Sequence, residues 1–593
     1  MDYKPTQEMG RLFFSIGGRS EPSMSSYTPF LIPLAPLAAT LVIVLCERWL
    51  GPKTYKISAF MLMLAFGVSL QILVELAEPG AKAIELSLFP GPQGSLFHLG
   101  LYIDRLSALM MTLISGIGAL IALFSIRYLQ QDPGRTRFFI LLTLTTSALL
   151  CMVSSPNLMM LFIFWQLLSW FLFLLSHNYS HPATVREAFK TFTILRVGDV
   201  AFLSGIVLAY RLYGTLDLPR LFTRAAEVQT AFTVGGGTLL TINGATAVTF
   251  LIFVGAMSKS AQFPMHLWLP GALYAPTPVT ALLHAGIINA GGFLLNRLAP
   301  LYGLSPATLH LAFAVGLVTT LLGASMMLIQ NNIKMTLGFS TIGQMGYMIM
   351  ECGLGAFALA IFHLVAHGLF KATVLLNCGN LIHNARQEPR LPPKNEGVER
   401  VGFSRLAWGT GFLTTLILPL IILLAAHGVL RIPLRDSQGI VIFLFFSWVT
   451  SSQSILTFFR LRAIGSWKVA AAMLLTLLLV VLTYLLAAEG LTHFLYPSPG
   501  EVARYFQAAA LPDGLFDLLV GATALCIIGG WILIYAKTHG QTIRMPGWLN
   551  EMQVRLYVLF MNRLYLETLY SRLGQAFIRF AHRVDKRYLG WLP

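Results

Sequence analysis

Long apolar runs separated by short charged segments dominate this chain. A helix needs about 20 mostly apolar residues to cross a bilayer. By that standard about fifteen runs qualify: 30–46, 57–74, 104–125, 138–154, 157–176, 192–210, 245–261, 271–296, 309–329, 336–350, 355–382, 404–427, 438–458, 469–488 and 516–535. The pattern predicts an all-α, polytopic membrane protein. Pro276 and Pro278 lie in the eighth run, which is therefore the one where a broken helix is expected. Beyond the last run, Leu556, Leu559, Phe560, Leu564, Leu569 and Leu573 recur at helical spacing. They predict a C-terminal amphipathic helix over about 551–580, its basic face suited to anionic headgroups. Such a helix serves either as an interfacial anchor or as a docking element for a partner subunit. The chain divides into an N-terminal segment with two spans (1–100), a core (101–385), C-terminal spans (386–540) and a basic tail (541–593).

Composition removes the soluble alternative. Of 593 residues, 56% are hydrophobic and 11% charged, whereas soluble domains carry about 25% charged residues. Cys46, Cys151, Cys352, Cys378 and Cys526 are scattered, with no CxxC pair. That argues against an iron–sulfur cluster, a thiolate zinc site or a disulfide framework. No phosphate loop or nucleophile–base set appears, and Gly235–Gly237 is a lone glycine run. The chain reads as a non-enzyme with no cofactor of its own.

The net charge of +16 is read through its placement. Arg48, Lys53 and Lys56 follow the first span, and Arg127, Arg135 and Arg137 follow the third. Arg186 and Lys190 follow the fifth; Arg386, Arg390, Lys394, Arg400 and Arg405 follow the eleventh. The loop after the second span is acidic, with Glu75, Glu78 and Glu85. Positive loops stay cytoplasmic, so the N-terminus is expected outside and the C-terminus in the cytoplasm. The basic tail, with Arg555, Arg563, Arg572, Arg579, Arg583, Lys586 and Arg587, agrees. The excess charge thus faces a membrane surface, and nucleic acid is not an expected partner. The first 28 residues are polar and mixed, which does not match a cleavable signal peptide.

Ionisable residues inside apolar spans are costly and usually functional. Lys259 sits among small and apolar neighbours in the seventh run. A lysine held in low dielectric can load and release a proton; it can also serve as a structural donor to carbonyls freed near Pro264. His284 is surrounded by Gly286, Asn289, Gly291 and Gly292, which leave room for water or close helix approach. His363, His367 and Lys371 stand at i, i+4 and i+8, so one helix face carries all three. Two turns of titratable groups suit a proton wire. With no carboxylate or cysteine close by in sequence, the two histidines make a poor metal site. Lys190, Arg196 and Asp199 lie near the start of the sixth span, where Arg196 and Asp199 are spaced to pair. Gln166 stands in the fifth span where a carboxylate would answer Lys259.

Taken in order, these segments resemble a known family. They are Asn157 with Trp165-Gln166, Arg196-Val-Gly-Asp199, Ser258-Lys-Ser-Ala-Gln-Phe-Pro264 and Pro276-Thr-Pro-Val-Thr-Ala-Leu-Leu-His284. Ile333-Lys334, Ser340-Thr341, Gln344-Met-Gly-Tyr347 and His363, His367, Lys371 follow. The set resembles the proton-translocating, antiporter-like subunits of respiratory complex I and of Mrp-type cation/proton antiporters, over roughly residues 100–385. The resemblance implies two inverted five-helix repeats, each with a broken helix. It also implies a proton path through Lys259, His284, His363, His367 and Lys371.

Three features depart from the complex I pattern: Gln166 replaces the usual glutamate, the 404–427 span lacks a lysine, and no long lateral helix follows the last span. They match the DabB-type membrane subunits of two-component inorganic carbon transporters, as does His284-Ala-Gly-Ile-Ile-Asn-Ala-Gly-Gly-Phe293. That resemblance implies a large soluble partner of DabA type on the cytoplasmic face. The partner would bear the zinc and resemble a β-type carbonic anhydrase. H+ or Na+ flow through this chain would energise conversion of carbon dioxide to bicarbonate. A redox-driven pump, in complex I or a membrane hydrogenase, and an Mrp-type antiporter are the alternatives.

Overall fold

The computed structural model describes residues 24–88, 99–177, 182–228, 231–234, 240–272, 275–387, 489–512 and 547–588, with isolated positions between 475 and 529. The expected spans at 404–427 and 438–458 lie outside the described residues. A 3-10 turn, Met24–Phe30, leads into α1 (Leu31–Leu50), α2 (Lys53–Ala77), α3 (Arg105–Tyr128), α4 (Arg135–Val153), α5 (Leu158–Ser176) and α6 (Pro182–Tyr213). Next come α7 (Leu218–Glu227), α8 (Gly244–Lys259), α9 (Trp268–Ala272), α10 (Thr277–Ala285), α11 (Ala290–Arg297) and α12 (Ala299–Tyr302). The core ends with α13 (Pro306–Leu328), α14 (Ile333–Gly353) and α15 (Phe357–Gln387). The described C-terminal helices are α16 (Pro499–Ala509), α17 (Gly547–Met561) and α18 (Leu566–Tyr588).

Among the described residues, nine helices are long and apolar enough to cross a membrane. The chain is thus a multi-pass membrane protein. The expected seventh span is a helix of only 16 residues, Gly244–Lys259. Two short antiparallel hairpins interrupt the all-helical expectation. Ile84–Ser87 pairs with Gly100–Ile103, and Ala231–Val234 pairs with Leu240–Asn243. Four-residue strands joining long helices leave no periodic signal to read in advance.

Polar caps start the helices at the edges of apolar runs. Asp104 accepts from the Ser107 amide (2.8 Å), Asn157 from Met160 (2.8 Å), Asn243 from Ala245 (3.0 Å) and Asn332 from Lys334 (2.9 Å). Each satisfies a backbone donor the helix itself leaves free. Helices α13 and α14 approach through glycine. A Cβ at Gly316 would stand 2.5 Å from the Met350 nitrogen, and one at Gly346 would stand 2.6 Å from the Thr320 nitrogen. Only hydrogen fits at either place, the small-residue packing typical of membrane helices. A buried ion pair joins α11 to the cap of α3. Arg297 donates to Asp104 at 2.7 and 3.2 Å, to Ser107 Oγ at 2.5 Å and to the Val153 carbonyl at 3.2 Å.

The eighth run is interrupted at its prolines and broken again further along. Pro276 caps α10 and Pro278 lies in its first turn, where proline's missing N–H costs nothing. The break falls at Gly286, followed by a 3-10 turn over Ile287–Asn289. A second break separates α8 from α9, across residues 260–267. The two breaks meet, for Ser260 Oγ donates to the Ile288 carbonyl at 2.6 Å.

The tail also differs from the single helix expected over 551–580. Arg563, Leu564 and Tyr565 have φ values of 50°, 59° and 54°, which end α17 and start α18 in a new direction. At that corner the tail straps onto the core. Tyr570 Oη donates to the Pro264 carbonyl at 2.7 Å, and Glu567 pairs with Lys190 (3.3 Å) and Arg563 (2.7 Å). Lys190 also pairs with Glu187 at 2.7 Å. Burial raises the pKa of Glu567, but Lys190 and Arg563 together outweigh it and hold the carboxyl below its ordinary value. The strap is therefore fully present above the usual glutamate range and lost as pH falls through the depressed value. A spin label at Gln575 in detergent-solubilised protein should become mobile on that acidification, and at neutral pH in Glu567→Gln. Unchanged mobility in both cases would show that the pair does not fasten the tail.

Candidate functional site

The first of two buried polar clusters forms where α8 ends. Lys259 is the last residue of that helix and fully buried. Its Nζ donates to the Trp165 carbonyl (3.0 Å) and Ser169 Oγ (2.5 Å) on α5, and stands 4.8 Å from the Trp165 ring centroid. The carbonyl it meets thus belongs to a neighbouring helix, not to a ladder opened by Pro264. Trp165 Nε1 in turn donates to Asp199 Oδ1 at 2.7 Å, and Asp199 pairs with Arg196 at 2.8 Å. The spacing-based pairing of Arg196 with Asp199 holds. Gln166 does not answer Lys259: its amide oxygen accepts from Arg196. Neighbouring positions on α5 point to different partners because successive side chains lie about 100° apart around a helix. Lys190 lies away from this cluster, in the strap with Glu187 and Glu567.

The second cluster is built by α10, α14 and α15. His363, His367 and Lys371 share one face of α15, and the two rings lie 6.3 Å apart edge to face. Lys371 Nζ donates to Ser340 Oγ at 2.9 Å and to the Leu337 carbonyl at 3.4 Å. His284, at the end of α10, lies within electrostatic reach of Lys371 and His367. Both ring nitrogens of His284 and of His367 are buried without a hydrogen-bond partner among the described residues. Buried polar groups are nearly always paired, so four such atoms set this cluster apart from the apolar packing around it.

Sequence reasoning missed Glu351. It closes α14, 1% exposed, and its Oε2 lies 3.1 Å from His363 Nδ1. His363 Nε2 meets Gln344 Oε1 at 2.8 Å. The expected span stopped at 350, which placed Glu351 in a connection and left the histidines with no carboxylate in view. The helix runs to Gly353 and folds the carboxylate back onto α15. The available signal was isolation: among Asp, Glu, Lys and Arg, Glu351 alone falls between Lys334 and Lys371.

Two meeting helix breaks, flanked by buried lysines and a histidine face, define an antiporter-like membrane subunit. The family described as NADH:quinone oxidoreductase/Mrp antiporter, transmembrane, matches residues 155–451. The complex I chain 5 N-terminus family matches residues 93–139. A protein of Halothiobacillus neapolitanus (strain ATCC 23641 / c2), named probable inorganic carbon transporter subunit DabB1, is 38% identical over 568 residues, 95% of this chain and 99% of that protein. The chain belongs to the antiporter-like family of membrane subunits and, within it, to the DabB type. The chloroplastic NAD(P)H-quinone oxidoreductase subunit 5 of Nymphaea alba is 34% identical over 406 residues, but this chain spans only 53% of its length. Among solved structures, a chain of respiratory complex I from Thermus thermophilus shares the fold, with TM-score 0.54 and 20% identity over 81% of this chain and 99% of that one. A chain of the Mrp complex from Dietzia sp. DQ12-45-1b gives 0.53 and 21%, over 95% and 63%.

Proposed function

We propose that this chain is the ion-conducting membrane subunit of an inorganic carbon transporter. H+ or Na+ moves through Lys259, His284, His363, His367 and Lys371, with Glu351 holding His363. Gln166, Arg196 and Asp199 set the charge around Lys259. The flow energises bicarbonate accumulation by a large soluble, zinc-bearing partner of DabA type. Supporting the reading above all is the end-to-end similarity to the Halothiobacillus protein, whose name states inorganic carbon transport. Similarity to the quinone oxidoreductase subunit covers only about half of that protein, which disfavours the redox-driven alternative. The basic loops and tail support a partner on the cytoplasmic face, an N-terminus outside and a place in the cell membrane. Chemistry on carbon dioxide belongs to the partner, and this chain carries no cofactor.

The test is labelled inorganic carbon uptake in cells without their own accumulation system, carrying this chain and its zinc-bearing partner. Uptake should require both chains and collapse with a protonophore or a sodium ionophore, whichever ion is used. Uptake that survives both agents overturns the proposal.

A further inference from the structure

The strap contacts use only one side of α18. Tyr570 packs on the core and Glu567 meets Lys190. Leu569, Leu573, Phe580 and Val584 remain exposed, the first three at 48%, 58% and 60%. At about 100° per residue these four fall within about 60° of one another. Arg572, Arg579 and Arg583, all exposed, fall within about 40° of one another, directly beside that stripe. Glu567 and Tyr570 occupy the sector on the stripe's other side. The order around the helix is therefore bundle contact, apolar stripe, arginine row.

Soluble surfaces seldom expose an apolar stripe of this kind. Here it lies on a helix fastened to a membrane-spanning bundle. Helix α18 holds Arg572, Arg579, Arg583, Lys586 and Arg587 against Glu567 and Asp585, and Glu567 is already paired within the strap. An apolar stripe flanked by arginines that have no ion pair among the described residues complements acyl chains bordered by negative headgroups.

We propose that this outer face of α18 is a binding surface for the anionic phospholipid leaflet, with Arg572, Arg579 and Arg583 on the headgroups and Leu569, Leu573, Phe580 and Val584 in the acyl boundary. The lipid and the strap then hold the helix from two sides, beside the break that follows Lys259. The inference stands apart from which ion is conducted, because it concerns lipid contact alone.

The test is amide hydrogen exchange of residues 566–588 in the full chain. Nanodiscs of phosphatidylcholine alone are compared with discs in which one third of the lipid is phosphatidylglycerol. Exchange should be on the order of tenfold slower in the anionic discs at low salt, because each basic side chain near the surface is attracted to the negative leaflet. High salt should erase the difference in the unaltered protein. Combined Arg572→Gln, Arg579→Gln and Arg583→Gln should erase it at low salt, with exchange in α13 unchanged. Lysine at the same three positions should preserve it. Equal exchange in both discs at low salt, or full protection in the glutamine variant, overturns the proposal.

Discussion

Lys259→Ala is expected to lower ion flux at least about a hundredfold, the scale of losing a side chain that transfers protons, while the protein still reaches the membrane. The ammonium of Lys259 bridges the broken helix to the Trp165 carbonyl and Ser169, and no second lysine or arginine touches that carbonyl among the described residues. Its loss removes the group that links α8 to Asp199 by way of Trp165. A structural role is separated from a conducting one by Lys259→Met, which keeps most of the volume and none of the charge. Flux measured in proteoliposomes should be as low in Lys259→Met as in Lys259→Ala. Flux restored by methionine would show that Lys259 only fills space. Lys371→Ala in the second cluster is expected to behave in the same way.

The largest effect on stability is expected at Arg297. Its guanidinium is 4% exposed and satisfies Asp104, Ser107 and the Val153 carbonyl together. Arg297→Ala strands the Asp104 carboxylate beside unfilled carbonyl and hydroxyl groups. Removing one partner of a buried pair costs about 3–5 kcal/mol. The Asp104 side chain is 30% exposed, so water recovers part of that, and about 3 kcal/mol is the expected loss. Thermal unfolding in detergent should show a clear fall in Tm, and Arg297→Leu combined with Asp104→Leu should recover much of it. An Arg297→Ala protein that melts with the unaltered chain would mean that α3 and α11 are held together without the pair.

The spans were legible because lipid demands long apolar runs and tolerates few charges, which makes the exceptions stand out. Lys259, His284, His363, His367 and Lys371 were all visible for that reason. What one helix face carries was also legible, since spacing alone stacks His363, His367 and Lys371. Pairings between helices were not. Gln166 turns to Arg196 and Glu351 to His363 because of how α5, α6, α14 and α15 are rotated against each other, which no spacing within a helix encodes. Break positions were half legible. Proline marked the right run and the start of α10, whereas the further discontinuity at Gly286 carried no proline signal. The tail's periodicity was real, but a left-handed turn at Arg563–Tyr565 cut one expected helix into two.

Inorganic carbon transport by this chain requires the zinc-bearing partner. The direct measurement is purification of the tagged chain from its own host in mild detergent, followed by mass spectrometry and zinc analysis. One large zinc-bearing subunit of DabA type should accompany the chain. Recovery of flavin and iron–sulfur subunits instead would contradict the transport reading and place the buried lysines in a redox-driven pump.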